Sequence, residues 1–224
     1  MIHQGGIVSI KILLADDHKI IRDGLRSLLE NEKDMAVVAE AETGRDAIKL
    51  TRQFSPDIVV MDVNMPDLNG VDATELIMAE SPAVRIIALS IHSTRRYVTR
   101  MLKAGAAGYL VKHCAYEELA NAIRVVADNK PYLSTQILDT VISDYTANLS
   151  SDEKSVFSTL TTREREILQL VAEGIRSEDI AARLFISVKT VSSHRRAIMQ
   201  RLNLHSVAEL TKYAIKEGLI SLDY

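Results

Sequence analysis

Along residues 10 to 128, short runs of apolar and β-branched residues alternate with longer segments whose apolar positions recur three to four apart. The runs are Ile10 to Ala15, Met35 to Ala39, Ile58 to Asp62, Arg85 to Ser90 and Gly108 to Val111. Between them, Ile21, Leu25, Leu28 and Leu29, or Leu119, Ile123 and Val126, mark single faces of helices. The pattern predicts five βα units. Strands apolar on both faces and joined by helices predict a parallel sheet covered on both sides, a doubly wound α/β domain over residues 8–128.

The rhythm breaks over residues 129–158, where "DNKPYLST" and "ANLSSDEKS" predict a linker containing one helix over Gln136 to Tyr145. Residues 159–224 carry no strand signal and predict a small all-α domain of four helices. Thr162 caps a helix ending at Gly174, and Ser177 opens a short one to Leu184. Ser187 caps a third to about Leu202, and the fourth spans Ser206 to Glu217.

Composition narrows the setting. No apolar run approaches the roughly 20 residues needed to span a bilayer, and "MIHQGGIVSI" lacks the basic start and apolar centre of a signal peptide. A cytoplasmic chain with no membrane partner is the expectation. The one cysteine, Cys114, can form neither an internal disulfide nor a cysteine-based metal cluster, and is expected to be an inert thiol. The formal charge of −3 hides an asymmetry: residues 161–224 hold 10 Lys and Arg against 8 Asp and Glu, and residues 187–202 hold Lys189, Arg195, Arg196 and Arg201 with no acid. A local basic stripe bears on nucleic-acid binding more than the whole-chain charge does.

Candidate chemistry appears when the strand ends are read together. The first run ends in Asp16 and Asp17, the third in Asp62, the fourth in Ser90, and Lys112 follows the fifth. In a parallel doubly wound sheet these groups meet at one edge, where ligands bind. Three clustered carboxylates repel one another unless a cation sits among them, and Mg²⁺ suits oxygen ligands while keeping exchangeable waters. Asp62 is then a plausible nucleophile toward a phosphoryl group, with Lys112 as a point-charge clamp. Ser90 can donate a hydrogen bond to a new phosphoryl oxygen, and Tyr109 can follow it inward. Taken singly, Asp16 and Asp17 read as a turn and helix cap, and Asp62 as another cap; their joint placement favours a site.

The stretches "LLADDH", "DIVVMDVNMPDLNG", "IIALS" and "AGAAGYLVK" resemble the receiver domain of two-component response regulators. The resemblance implies a flavodoxin-like sheet of five parallel strands in the order 2-1-3-4-5. It also implies Mg²⁺ held by Asp17, Asp62 and the backbone carbonyl of Asn64, supported by Asp16. Asp62 would accept a phosphoryl group from a sensor histidine kinase. Asn64 and His92 stand where the family tunes phosphoryl lifetime, and His113 replaces the proline that often follows the lysine. A rival, an aspartyl-phosphate hydrolase of the haloacid dehalogenase type, would place a second Asp where Asn64 stands, and would bring a Gly-rich phosphate loop.

The C-terminal domain shows a helix with two faces. On a wheel, Ile198 and Leu202 fall within about 20° of Val191, a buried stripe, while the opposite arc carries Lys189, Ser192, Ser193, Arg196 and Gln200. Such a face suits the DNA major groove. From "LTTREREILQLVAEG" through "SEDIAARLFISVKTVSSHRRAIMQRLNLHSVAEL" the chain resembles the LuxR-type helix-turn-helix of the NarL/FixJ regulators. By that resemblance Lys189, Thr190 and Arg201 touch phosphates, Ser192, Ser193 and Arg196 face base edges, and Val207, Leu210 and Ala214 form a dimerisation face. Core packing is the competing account of that face. Arg195 lies toward the buried side, suited to a salt bridge with Glu164 or Glu166 or to a backbone contact, and His194 is ambiguous. The expected protein is a transcriptional regulator switched by Asp62 phosphorylation, homodimeric on DNA when phosphorylated. The alternative is a phosphorylation-independent DNA-binding protein whose receiver serves dimerisation.

Overall fold

The computed structural model describes residues 9–148 and 160–220, so residues 149–158 of the predicted linker and residues 159 and 221–224 of the predicted all-α domain lie outside the described ones, as does the side chain of Cys114. The N-terminal domain alternates strands and helices: β1 (Ile10–Ala15), α1 (Lys19–Glu30), β2 (Met35–Ala41), α2 (Gly44–Phe54), β3 (Ile58–Asp62), α3 (Gly70–Glu80), β4 (Arg85–Ser90), α4 (Arg95–Ala104), β5 (Gly108–Val111) and α5 (Ala115–Ala127). All neighbouring strands pair in parallel, in the order 2-1-3-4-5.

Strand alternation divides the core into two layers. Ile12, Leu14, Ile58, Val60, Ile87, Leu89 and Leu110 point to one face and pack with Leu25 and Leu29 of α1 and Leu119, Ile123 and Val126 of α5. Leu13, Ala15, Val59, Met61, Ile86, Ala88 and Tyr109 point to the other and pack with α2, α3 and α4. With both faces covered, the strands read as continuous apolar runs, and only their carboxyl ends are free to carry polar groups.

Two predictions are corrected here. A sixth strand, β6 (Tyr132–Leu133), pairs in parallel with β5, and α6 (Thr135–Asn148) follows it. The segment read as linker thus extends the α/β domain, because Ile137 of α6 is fully buried in the same core as α4. Two paired residues are too short a run to show alternation, which is why the pattern missed the strand.

The C-terminal domain contains α7 (Thr162–Ala172), α8 (Ser177–Arg183), α9 (Val188–Leu202) and α10 (Val207–Lys216) around a core that includes Ile167, Leu170, Ile180, Val191, Ile198, Leu210 and Ala214. The first cap sits one residue earlier than predicted. Thr161, not Thr162, accepts from the backbone N–H of Glu164, whose side chain reaches back to Thr161 in a reciprocal capping box. Ser187 and Ser206 cap α9 and α10 as the sequence predicts. Asn203 ends α9 in the left-handed conformation.

Candidate functional site

The register that sets Ala15 beside Met61 brings Asp16, just past β1, beside Asp62, the last residue of β3. Asp16 and Asp62 are both buried there, and Lys112, immediately after β5, reaches across to them. Its Nζ lies 2.7 Å from Asp16 Oδ2 and 2.8 Å from Asp62 Oδ2. Burial pushes the Asp62 carboxyl up to about 7; Lys112 opposes the shift and the Asp16 charge adds to it. Burial pulls the Lys112 ammonium down, but the two carboxylates outweigh it and leave its pKa raised.

Asp17 and His18 complete the acid edge: one ligand atom from each of Asp16, Asp17, His18 and Asp62 lies within 4.8 Å of all the others. His18 Nδ1 is 2.8 Å from Asp17 Oδ1, and its backbone N–H donates to Asp16 Oδ1 at 2.9 Å. Arg22 of α1 is buried and holds the turn from behind, donating to the Asp16 carbonyl and to Glu42, both at 2.6 Å. Beneath the pocket, Gly70 passes so close to β3 that a Cβ there would collide with the Asp62 carbonyl oxygen. The Asn64 N–H donates to Asp62 Oδ1 at 3.2 Å. His18 ends the stretch "LLADDH" and Arg22 lies one helical turn beyond it, but a helix-start reading gave neither a role.

Beside the pocket, Ser90 and Tyr109 join a short chain of contacts. The Ser90 hydroxyl accepts from the His92 N–H at 3.0 Å, and the Tyr109 hydroxyl donates to the His92 carbonyl at 2.7 Å. Tyr109 is fully buried, which raises its pKa, so it already lies inward. The His92 ring stacks on Tyr97 of α4, centroids 4.4 Å apart and planes 11° from parallel.

The second candidate site is the outer face of α9. Val191 and Ile198 are buried and Leu202 half-buried, while Lys189, Ser193, Arg196 and Gln200 are exposed and Ser192 is half-buried. Ser192, Arg196, Gln200 and Arg195 line an open cleft of about 510 Å³ that ends at Asn203 and His205. The face is therefore bare of acids and open. Thr190 sits at the α9 cap, its N–H donating to Ser187 Oγ at 3.0 Å, and Arg201 pairs with Glu164 at 2.7 Å. Glu166 pairs with Arg163 and with Arg45 of α2, so both acids foreseen for Arg195 have other partners. His194 is half-buried.

The dimerisation face is corrected in part. Leu210 and Ala214 are buried against the domain's own core, as the packing account required, and Val207 alone of the three is exposed, at 46%.

A seam between the domains was invisible to sequence reading, because its contacts join residues about 100 apart. Gln169 of α7 is fully buried. Its Oε1 accepts from the Asn69 N–H and Nδ2 at 3.1 and 2.9 Å, and its Nε2 donates to the Met65 carbonyl at 3.1 Å. Arg165 pairs at 2.7 Å with Asp72 of α3, which is fully buried, and also contacts Glu75. Arg183 of α8 reaches Asp67. At the far end, Arg100 of α4 donates to the carbonyls of Glu217 and Gly218, Arg96 pairs with Glu217, and Tyr97 packs where a Cβ on Gly218 would be. Gly218 also takes φ +64, so glycine is required there twice over.

Comparison with known proteins covers both domains. A family model described as the response regulator receiver domain matches residues 12–124, and one described as bacterial regulatory proteins, luxR family, matches residues 158–214. The transcriptional regulatory protein DegU of Brevibacillus brevis is 34% identical, over 95% of this chain and 96% of its own. The oxygen regulatory protein NreC of Staphylococcus carnosus is 37% identical, over 94% and 99%. Among solved structures, the RcsB response regulator of Salmonella typhimurium is 25% identical with a TM-score of 0.58, covering 92% of this chain and 98% of its own.

Proposed function

The chain belongs to the NarL/FixJ response regulators, a receiver joined to a LuxR-type DNA-binding domain, and from that premise we propose that Asp62 is its phosphoacceptor. The protein is a phosphorylation-regulated, DNA-binding transcription factor and not an enzyme acting on a separate substrate. The observation that carries the site is the single ammonium of Lys112 shared between two buried carboxylates at the sheet edge.

In the reaction, an Asp62 carboxylate oxygen bonds to phosphorus as the bond from phosphorus to a histidine nitrogen of the sensor kinase breaks, and the ring, protonated on its other nitrogen beforehand, leaves as neutral imidazole on the kinase. Lys112 then faces a phosphoryl oxygen in place of the second negative oxygen of Asp62. The oxygen-rich set of Asp17, Asp62 and the Asn64 carbonyl, with Asp16 beside it, fits a hard divalent ion such as Mg²⁺, and a nitrogen or sulfur cage is not what the edge offers. When bound, Mg²⁺ supplies positive charge that offsets the phosphoryl oxygens. Ser90, turned toward the new group, releases the His92 N–H it now accepts. Through His92 and Tyr97 that change reaches α4, which grips Glu217 and Gly218 at the end of α10. Loss of that grip frees the DNA-binding domain to pair on DNA as a homodimer.

On DNA, Arg196 with Ser192 and Ser193 faces base edges and Lys189 and Thr190 lie nearest phosphates, a division supported by the exposed, acid-free face of α9. Among the described residues no helix is long and apolar enough to cross a membrane, which accords with a cytoplasmic regulator. Mass spectrometry of the full chain treated with acetyl phosphate and Mg²⁺ tests the assignment. Wild type is expected to gain one phosphoryl group and Asp62→Asn none. Equal labelling of both overturns it.

A further inference from the structure

The turn between α8 and α9 is closed in a way that strains its middle residue. Past the end of α8, the Ile186 N–H donates to the Ala181 carbonyl at 3.0 Å and the Phe185 N–H to the Ala182 carbonyl at 3.3 Å. This pair of bonds ends a helix on a left-handed residue, usually glycine and sometimes asparagine. Here that residue is Phe185, at φ +53. A bulky side chain is strained in this region, because its Cβ crowds the following carbonyl oxygen. Elsewhere the chain gives left-handed helix ends to smaller residues: Ser55 after α2, Gly105 after α4, Asn129 after α5, Gly174 after α7, Asn203 after α9 and Gly218 after α10.

Packing does not account for the ring. Phe185 is 95% exposed with both domains in place. The apolar contact of the turn is made instead by Ile186, which packs against the core of the C-terminal domain. A single exposed apolar residue is ordinary. One that also holds a strained backbone points to a use.

Its position says what covers it. Phe185 stands two residues before Ser187, the cap of α9, and the helix opens after it with exposed Val188 and Lys189. Recognition helices contact base edges in the major groove with their N-terminal residues, so seating α9 in a groove carries Phe185 to the groove's edge. The duplex offers apolar surface there, in thymine methyl groups and deoxyribose rings, and phenylalanine is among the side chains suited to the methyl. The residue is also continuous with the acid-free face of α9, which favours a polyanion over a protein as its partner.

We propose that Phe185 is a DNA-contacting residue: as α9 enters the major groove, the ring leaves water and packs on a thymine methyl or a neighbouring deoxyribose. The inference rests on α9 being the reading helix. Glycine relieves the strain and removes the ring in one change, so Phe185→Gly separates contact from folding.

The test titrates full chains, treated with acetyl phosphate and Mg²⁺, against duplexes that the wild type selects from random sequence, and unfolds the same chains in urea. Phe185→Gly is expected to bind about 10-fold more weakly, as burial of much of one aromatic side chain implies. Its salt slope should match wild type, because the ring carries no charge, and its urea midpoint should be no lower. Uracil put in place of each thymine in turn then locates the contact. A loss of about 4-fold for wild type at one position, as one methyl implies, with no loss there for Phe185→Gly, places the ring on that methyl. Wild-type indifference to every uracil places it on deoxyribose, and either result supports the contact. Phe185→Gly binding as tightly as wild type overturns it; if Arg196→Ala is still weakened, α9 stays the reading helix and Phe185 is left to a protein partner. Weaker binding with a lowered urea midpoint also overturns it, because the ring is then structural. Unchanged binding by both Phe185→Gly and Arg196→Ala overturns the contact and the reading of α9 together.

Discussion

The Asp62 pocket and the outer face of α9 are both charged, yet they are built on opposite principles. In the pocket, two buried carboxylates share one ammonium, and Arg22 closes the turn behind them, so the acids are met in part by a cation of the protein's own. On α9, Lys189, Arg196 and Gln200 stand exposed without an acid on their face, so balance awaits a partner. Chemistry that must occur at one atom needs preorganised groups held in low dielectric. Recognition of a long polyanion needs charges whose release of counterions supplies the affinity. The chain contains one of each, and the seam of Gln169, Arg165 and Arg100 joins the domains that carry them.

Breaking the pocket has the largest expected effect. Lys112→Ala leaves Asp16 and Asp62 facing each other in a buried site, and loss of one partner from a buried ion pair costs about 3–5 kcal/mol. Urea denaturation without divalent ions should show that loss. Losing a preorganised positive group should also slow labelling by acetyl phosphate on the order of 100-fold. Adding Mg²⁺ should then restore more stability to the variant than it adds to wild type, because the carboxylates no longer have a competing cation. Equal stabilisation of the two proteins would show that Lys112 and the ion do not share a site.

The sequence disclosed this pocket well and the seam not at all, for one physical reason. Strand ends are fixed by local periodicity, and a parallel sheet carries them to one edge, so Asp16, Asp17, Asp62, Ser90 and Lys112 could be placed together by topology alone. Gln169 and Arg165 lie on a short amphipathic helix where nothing local separates a polar group aimed at another domain from one aimed at water. The same limit explains α10. The spacing of Val207, Leu210 and Ala214 shows that they share a face, not whether the covering surface is a second copy or α7, and the structure buries the latter two under their own domain. β6 escaped notice because two residues carry no period.

Breaking the α9 face has a smaller effect that divides by residue. Arg196→Ala should lose about 1–3 kcal/mol of discrimination between the preferred site and its single-base variants. Lys189→Ala should weaken binding alike on all sequences and lower the salt slope by about 1. Binding titrations across a range of salt on sites selected from random duplexes separate the two. A uniform loss from Arg196→Ala would move that residue to the phosphates and leave base reading to Ser192 and Ser193.

Arg201 sharpens the comparison, because it lies on α9 in sequence but is used like a pocket residue in structure. Its guanidinium is 2.7 Å from Glu164 Oε2, and Glu164 is the acid of the α7 capping box. The cap holds the Glu164 carboxyl below its ordinary value: burial pushes it up, but the Thr161 N–H and Arg201 pull harder. Arg201 thereby ties the recognition helix to the helix that carries Gln169 and Arg165 into the seam. An ion pair of which one partner is about 41% exposed is worth at most about 1 kcal/mol. Arg201→Ala should therefore lower the unfolding free energy of the DNA-binding domain by up to that amount, read as a small shift in its urea midpoint. The salt slope of DNA binding should stay at the wild-type value. A slope reduced by about 1 with unchanged stability would return Arg201 to the phosphate-contacting set that the sequence suggested. The two outcomes separate a charge committed inside the protein from one reserved for its partner.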